Sequence, residues 1–113
     1  MIDDYSTGKM TVQGKTHHND LKIINGEVKG DWWRKNGHRL GTEDIEDILS
    51  AQPDILVVGM GYAGNMSISS SVKKELEQRN IQLFAENTRD AVKTFNHLYS
   101  KNKEIAGAFH LTC

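Results

Sequence analysis

Apolar residues recur at helical spacing or in short unbroken runs through the last two thirds of the chain. Ile45, Ile48 and Leu49 fall at positions i, i+3 and i+4, which predicts a helix with one buried stripe. Thr42 is a good N-cap for this helix, and Pro53 would end it. The first element of this part of the chain is therefore a short amphipathic helix.

Predicted helices and strands alternate from here to the end of the sequence. Serines at residues 69–71 cap a predicted helix that runs to Arg79, and Thr88 caps a third helix whose apolar residues share one face. Strands are predicted at residues 55–58, 81–85 and 105–111. The order strand–helix–strand–helix–strand implies two right-handed crossovers and a small parallel sheet, so an α/β fold is predicted.

The first third of the chain predicts antiparallel strands. Met10 and Val12 alternate with polar neighbours, as in a half-buried strand. Residues 21–24 form a second strand, and Asn25-Gly26 predicts a tight hairpin turn into a return strand. The glycine-punctuated, aromatic and basic segment at residues 30–41 predicts a loop or a short irregular strand.

Length and composition describe one small folded unit. The chain has 113 residues, of which 37% are hydrophobic and 26% are charged, enough apolar content for a core. We therefore predict a single domain at residues 1–113, with a β-rich part at residues 1–41 and an α/β core at residues 42–113. The apolar runs fall far short of the roughly 20 residues that span a bilayer, so no membrane insertion is expected.

Charge and cysteine content suggest the compartment and the partners. The formal net charge is −1, which gives no general attraction to nucleic acid. The sequence starts without the basic and apolar regions of a secretory signal, and its one cysteine, Cys113, has no intramolecular partner. We expect a soluble cytoplasmic protein whose partner is another protein or a small anionic ligand.

The apolar run at residues 55–58 leads into Gly59-x-Gly61-x-x-Gly64, which matches the dinucleotide-binding fingerprint. The glycines of that motif let the backbone approach a pyrophosphate at a helix N-terminus, and an acidic residue about 20 positions later binds the ribose. Glu86 stands at a suitable spacing. A nucleotide-dependent enzyme that uses this loop is therefore one open hypothesis.

A simpler interpretation of the glycine run is favoured. The serine-rich residues 65–71 form helices poorly, so the next helix is predicted to start too late for the fingerprint. Only three parallel strands are predicted where the full dinucleotide fold has more, and no segment remains for a substrate domain. We favour a strand-terminating turn, whose backbone amides leave open a small anion-binding nest.

Aromatic and basic residues cluster between Trp32 and Arg39. Arg34, Lys35 and Arg39 beside Trp32 and Trp33 resemble segments that bind phosphates or single-stranded nucleic acid. The competing interpretation is that one tryptophan packs in the core and the cations form a solvated rim. Nucleic acid is the weaker alternative because the net charge does not support it. A small anion fits better, since loops over the carboxyl ends of parallel strands bind ligands.

The histidines and the cysteine form no recognisable catalytic or metal motif. Adjacent His17 and His18 would point to opposite faces of a strand, and His18 with Asp20 does not make a zinc site, so an exposed polar strand is expected. His110 and Cys113 would face opposite ways on the last strand, which argues against a nucleophilic pair. We expect His110 to be a satisfied, partly buried histidine, and we predict no metal site and no catalytic residue.

Four segments, taken together and in order, resemble a known family. They are residues 31–34, 55–61, 88–98 and 106–113. They resemble the small α/β domain of unknown function that includes the adipogenesis-associated protein of animals, a mitochondrial assembly factor for respiratory complex I, and archaeal and bacterial members. The ending Phe109-His110-x-Thr112-Cys113 is especially similar to the adipogenesis-associated member.

The resemblance implies a three-layer α/β fold. A small mainly parallel central sheet, built from a β-α-β-α-β core, would carry the helices, and an N-terminal antiparallel β layer would be added to it. The family supplies no established enzymatic activity and no cofactor, and Gly64 is not a fixed part of its pattern. The eukaryotic roles are not transferred to this chain, because a shared fold does not imply a shared function.

The leading hypothesis is an uncharacterised, non-catalytic binding or protein-interaction module with a small anionic-ligand pocket at the glycine turn. The candidate ligand-binding residues are Trp33, Arg34, Gly59, Gly61 and His110. In this hypothesis Gly59 and Gly61 allow close backbone approach, Arg34 supplies charge and Trp33 supplies a wall. The pocket requires that Arg34 and Gly61 lie close together, and no cofactor is expected.

Overall fold

The chain folds into three layers around a five-stranded central sheet. The computed structural model describes residues 1–101 and 104–113. Its strands are β1 (Ile2–Ser6), β2 (Lys9–Val12), β3 (Lys15–His17), β4 (Leu21–Ile24), β5 (Glu27–Lys29), β6 (Arg39–Leu40), β7 (Ile55–Met60), β8 (Ser67–Ile68), β9 (Gln82–Glu86) and β10 (Ile105–His110). Its helices are α1 (Glu46–Ala51), α2 (Ser70–Gln78) and α3 (Thr88–Ser100), and a 3-10 helix at Thr42–Ile45 leads into α1.

The central sheet has the strand order β5-β4-β10-β7-β9. Strands β10, β7 and β9 are parallel neighbours and are joined through α2 and α3, as the alternating pattern predicted. Strands β4 and β5 pair antiparallel beside β10, so part of the β-rich N-terminal segment completes the sheet. The predicted hairpin turn between them is confirmed, since Asn25 and Gly26 have φ angles of +52° and +76°.

Each face of the central sheet has its own core. In β7, Leu56 and Val58 face a core formed with α1 and α2, while Ile55 and Val57 face a second core formed with α3 and the N-terminal strands. This explains why the strand is apolar at every position, because both of its faces are covered. The predicted three-layer arrangement is confirmed.

Strands β1, β2 and β3 form the added antiparallel layer. Met10 and Val12 of β2 are buried, as their alternation predicted. Strand β1 was not predicted, because among its five residues only Ile2 is buried and the pattern of polar residues around it resembles a loop. The layer packs on the α3 side of the sheet, where Ile2, Met10 and Val12 share a core with Phe95.

Two predicted helix caps are wrong. Asn87 caps α3, since its side-chain oxygen accepts the N–H of Asp90 at 3.0 Å, and Thr88 is instead the first helical residue. Before α1, the chain enters the 3-10 helix from Gly41, whose N–H donates to the Asp44 carboxylate at 2.8 Å, so Thr42 is not the N-cap. Both hydroxyls lie one residue inside the helix, within the usual uncertainty of boundary predictions.

The glycine run begins inside a strand and ends in a turn. Gly59 belongs to the ladder of β7, and the chain turns only at Gly61, where φ is +101°. The two-residue strand β8 then pairs with β6, and α2 begins at Ser70 under a Ser69 cap. The pairing ties the aromatic and basic loop at residues 30–41 to the carboxyl ends of the parallel strands.

Candidate functional site

A buried carboxylate marks the junction between the N-terminal strands and the end of β10. Asp20 precedes β4, and only 8% of its surface is exposed. Its Oδ2 accepts from His110 Nδ1 at 2.7 Å and from Arg34 Nη2 at 2.8 Å. Its Oδ1 accepts the N–H of Leu111 at 2.8 Å. Three donors from two distant segments therefore converge on one side chain.

These contacts decide the charge of Asp20. Burial by itself raises the pKa of the carboxyl, but the hydrogen bonds from His110, from the Leu111 N–H and from Arg34 outweigh it, and the pKa lies below its usual value of 3.8. Asp20 is therefore ionised at neutral pH and balances the guanidinium of Arg34.

Arg34 is held rigidly from several sides. Only 4% of its side chain is exposed. Its Nε and Nη2 donate to the carbonyl of Gly37 at 3.2 and 2.9 Å, and its guanidinium carbon lies 4.7 Å from the centre of the Trp32 ring. Trp32 is itself buried and donates its indole N–H to the carbonyl of Asp44 at 3.1 Å. Nη1 has no hydrogen-bond partner among the described residues.

His110 presents one unused nitrogen. Its Nδ1 faces the acceptor-only carboxylate of Asp20, so Nδ1 carries the proton. Arg34 Nη2 is also 3.1 Å from Nδ1, but a protonated Nδ1 has no lone pair to accept a hydrogen bond, so in this tautomer Nη2 makes only a close contact there and pairs with the Asp20 carboxylate at 2.8 Å. The neutral ring therefore has its lone pair on Nε2, which is buried and without a partner in the described part of the chain.

Thr88 ties the strand ends together beneath this cluster. Its hydroxyl donates to the carbonyl of His110 at 2.6 Å and accepts the N–H of Gly61 at 2.9 Å. A Cβ on Gly59 would come within 2.8 Å of the same hydroxyl. A Cβ on Gly61 would collide with the carbonyl oxygen of Thr112. The glycines thus serve close packing of backbone on backbone at the edge of the sheet.

A cleft of about 350 Å³ opens over the cluster. Its walls are His18, Asn19, Asp20, Trp33, Arg34, Gly37, His38, His110, Leu111, Thr112 and Cys113. Trp33 is 72% exposed and stands beside the buried Arg34. One ring nitrogen from each of His38 and His110 and the Cys113 thiol lie within 4.8 Å of one another. Nitrogen and sulfur ligands of this kind suit a zinc ion.

The cleft brings together three of the five residues that the sequence nominated. Trp33, Arg34 and His110 line it, whereas Gly59 and Gly61 are not among its lining residues. Gly61 does not line the cleft itself, but it packs against Thr112, which does. The role of the two glycines in binding stays a prediction.

Three expectations about polar residues are wrong. Asp20 is not part of an exposed polar strand but is the buried acceptor of the site. His110 is only half satisfied, because Nε2 lacks a partner among residues 1–101 and 104–113. Cys113 does not point away from His110, because β10 ends at His110 and strand alternation no longer applies beyond it.

The basic-aromatic segment divides between core and surface. One tryptophan packs in the core, as the competing interpretation stated, and that residue is Trp32. The cations are not all a solvated rim, since Arg34 is buried and paired while Lys35 and Arg39 are exposed. Trp33, Lys35 and Arg39 alone remain for a nucleic-acid surface.

Hydrogen bonds within the glycine loop favour the turn interpretation. The N–H of Gly61 donates to Thr88, that of Tyr62 to the Thr112 carbonyl at 3.2 Å, and that of Gly64 to the Gly61 carbonyl at 3.1 Å. These amides are therefore not free for a phosphate. Glu86, the residue that would hold a ribose, accepts from the hydroxyl of Thr94 at 2.6 Å.

None of the helices in the described part of the chain has the length and apolar character that crossing a bilayer requires.

Solved structures of similar proteins share the fold. The chain matches a conserved hypothetical protein from Pyrococcus horikoshii with 27% identity and a TM-score of 0.85, over 100% of this chain and 99% of that one. It matches an outer membrane protein from Bartonella henselae with 23% identity and a TM-score of 0.82, over 99% and 94% of the two chains.

A Mth938-like domain from Bordetella pertussis has the same fold at 16% identity, with a TM-score of 0.64 over 97% of this chain and 84% of that one. A family profile described as "Protein of unknown function (DUF498/DUF598)" matches residues 2–110. That match spans nearly all the elements described above, including the buried Asp20, Arg34 and His110. The chain belongs to the DUF498/DUF598 family of proteins of unknown function.

Proposed function

We propose that this protein is a binding module that holds a small anionic ligand in the cleft above Asp20, Arg34 and His110. The observation that carries the proposal is Arg34 Nη1, a buried cationic donor that has no acceptor among the described residues. An unpaired buried donor costs free energy, and an anionic oxygen from a ligand would remove that cost. The module is not proposed to catalyse a reaction of its own.

The charges around the cleft support an anion rather than a cation at Arg34. Asp20 carries the one carboxylate side chain among the described lining residues, and its oxygens already accept three hydrogen bonds. The other ionisable side chains that line the cleft, besides Arg34 and Cys113, are histidines. An entering anion therefore meets no free carboxylate side chain among these described residues that would repel it.

Arg34 is already in place for such a ligand. The Gly37 carbonyl and the Trp32 ring hold the guanidinium, so little side-chain freedom remains to be lost on binding. Trp33 adds an exposed aromatic wall at the mouth of the cleft. A ligand with an anionic group and a flat apolar part would use both residues.

A partner protein is the other occupant that the sequence allows. The exposed Trp33 would suit a partner surface, because tryptophan is enriched at interfaces. A small ligand is preferred, because the unused donor of Arg34 is buried and a protein would have to insert an anionic group to reach it.

We also infer a reducing compartment such as the cytoplasm, because Cys113 is an exposed free thiol.

Amide NMR spectra of chelator-treated protein test this proposal with two probes, inorganic phosphate and phenyl phosphate. We expect saturable shifts at Leu111 and at the Trp33 indole with both. Phenyl phosphate should bind about fivefold more tightly, since aromatic stacking on Trp33 contributes about 1 kcal/mol. Trp33→Ala should abolish that preference and Tyr62→Ala, which changes an exposed aromatic residue outside the cleft lining, should keep it.

Two results would refute the proposal. One is the absence of saturable shifts around the cleft with either anion. The other is an equal loss of phenyl phosphate binding in Trp33→Ala and Tyr62→Ala, which would indicate nonspecific association with exposed aromatic side chains. Native mass spectrometry of the purified protein would then be used to look for a partner protein.

A further inference from the structure

His38, His110 and Cys113 come together from separate segments at one side of the cleft. His38 belongs to the loop that precedes β6, His110 ends β10, and Cys113 follows three residues later. One possible ligand atom from each lies within 4.8 Å of the other two. In tetrahedral zinc sites, bond lengths of about 2.0–2.3 Å place ligand atoms about 3.3–3.7 Å apart. Shortening a separation of 4.8 Å by about 1–1.5 Å would therefore close the site.

His110 is prepared as a metal ligand. Nδ1–H is fixed by the Asp20 carboxylate, which leaves the Nε2 lone pair free, and Nε2 is buried without a partner in residues 1–101 and 104–113. A carboxylate behind a histidine fixes the ring orientation and strengthens the nitrogen as a ligand. The ring cannot turn away without breaking the bond to Asp20.

His38 and Cys113 can make the side-chain movements that close the site. His38 and Cys113 are exposed, so their side chains can move toward Nε2 of His110 with little disturbance of the core. The rings of His38 and His110 already meet edge to face, with centroids 6.3 Å apart. An aromatic contact alone would explain the position of His38, but it accounts for neither the adjacent thiol nor the unused Nε2.

We propose that the cleft binds a zinc ion through Nε2 of His110, a ring nitrogen of His38 and the thiolate of Cys113. Three protein ligands leave the fourth tetrahedral position open toward the cleft. This inference rests on the proposed function, because the zinc ion would lie in the same cleft and the proposed anion would fill its fourth position. An anion that reaches Arg34 would be the natural fourth ligand.

Competition with a chromophoric zinc chelator measures the affinity, without any phosphate in the buffer. The wild type should bind one equivalent of zinc, and Cys113→Ser and His38→Gln should each bind at least about tenfold more weakly, since loss of even an outer-sphere partner costs that much. His18→Gln is the matched control, because His18 is an exposed histidine of the same cleft outside the three-residue cluster. It should bind like the wild type.

Cobalt substitution gives a second readout that does not depend on affinity. The cobalt-loaded wild type should show a thiolate-to-metal charge-transfer band, and Cys113→Ser should lack it. Thermal unfolding of each variant checks that the fold is intact, and the exposed positions of Cys113 and His38 make this expected.

The zinc proposal is overturned if the wild type binds no zinc, or if Cys113→Ser and His38→Gln bind as tightly as the His18→Gln control. The latter pattern indicates scattered binding to surface histidines. The anion proposal is judged separately, because its phosphate titrations use chelator-treated protein. Saturable phosphate binding without zinc binding would overturn only this inference.

Discussion

Asp20→Asn should be one of the most destabilising single-atom changes in the chain. The change keeps the shape of the side chain but removes its charge, so the guanidinium of Arg34 stays buried without its counter-ion. It also replaces one acceptor oxygen with an NH2 donor, so the remaining Asn oxygen cannot accept hydrogen bonds from all three donors. Removing one partner of a buried ion pair costs about 3–5 kcal/mol.

The lower end of that range applies here. The Gly37 carbonyl and the Trp32 ring continue to hold Arg34, and the Asn oxygen can still accept one hydrogen bond. We therefore expect the free energy of unfolding to fall by about 3 kcal/mol, a large part of the 5–15 kcal/mol typical of a small domain. Urea titrations followed by circular dichroism measure this loss, with an unchanged m-value as the sign of an intact two-state transition.

Glu75→Gln is the matched control for Asp20→Asn. The Glu75 carboxylate meets Arg79 at the same 2.8 Å, but the two side chains are 35% and 42% exposed. An exposed pair within one helix contributes only about 0.3–0.5 kcal/mol. A loss for Asp20→Asn no larger than that for Glu75→Gln would show that the Asp20 carboxylate does not organise the site.

Three further predictions concern the same region. The pKa of Asp20 is depressed in the folded state, so its stabilising contribution is complete above the usual value of 3.8 and is lost as pH falls through the depressed pKa. In acid titrations of metal-free protein, the difference in unfolding free energy between the wild type and Asp20→Asn should therefore shrink as pH falls below 3.8. Gly61→Ala should lower the free energy of unfolding by more than Gly14→Ala does, because both have positive φ but only Gly61 faces a backbone oxygen; equal losses of about 1 kcal/mol in chemical denaturation would contradict the close packing. Thr88→Val should cost about 2 kcal/mol in the same assay, since it leaves the carbonyl of His110 and the N–H of Gly61 unpaired, and a loss below about 0.5 kcal/mol would show that these groups find other partners.

Much of the fold could be predicted because its signals are local. Four consecutive apolar residues predict β7, Asn25-Gly26 predicts the hairpin between β4 and β5, and Ser69 caps α2 as its position indicates. Each of these choices is decided within a few residues along the chain. Strand β1 could not be predicted because its residues show no alternation of apolar and polar positions, and its place depends on pairing within the N-terminal sheet.

The site could be predicted only in part because its contacts are long-range. Asp20 and His110 are 90 residues apart in sequence, and no periodicity relates them. The sheet edge points to His110 and the basic-aromatic loop points to Arg34, but nothing in the sequence indicates that Asp20 joins them. Cys113 was misjudged because the end of β10 was placed one residue too late, and strand alternation was applied beyond it.

The decisive feature of the site is the unprotonated Nε2 that His110 offers to the cleft while Asp20 holds Nδ1–H. Nitrogen NMR of the histidine side chains, in metal-free protein at mildly alkaline pH, tests it directly. We expect a protonated Nδ1 and a lone pair on Nε2, and we expect the Nε2 signal to move when zinc is added. A protonated Nε2 in the metal-free protein, or a zinc-induced change at Nδ1 instead, would contradict it.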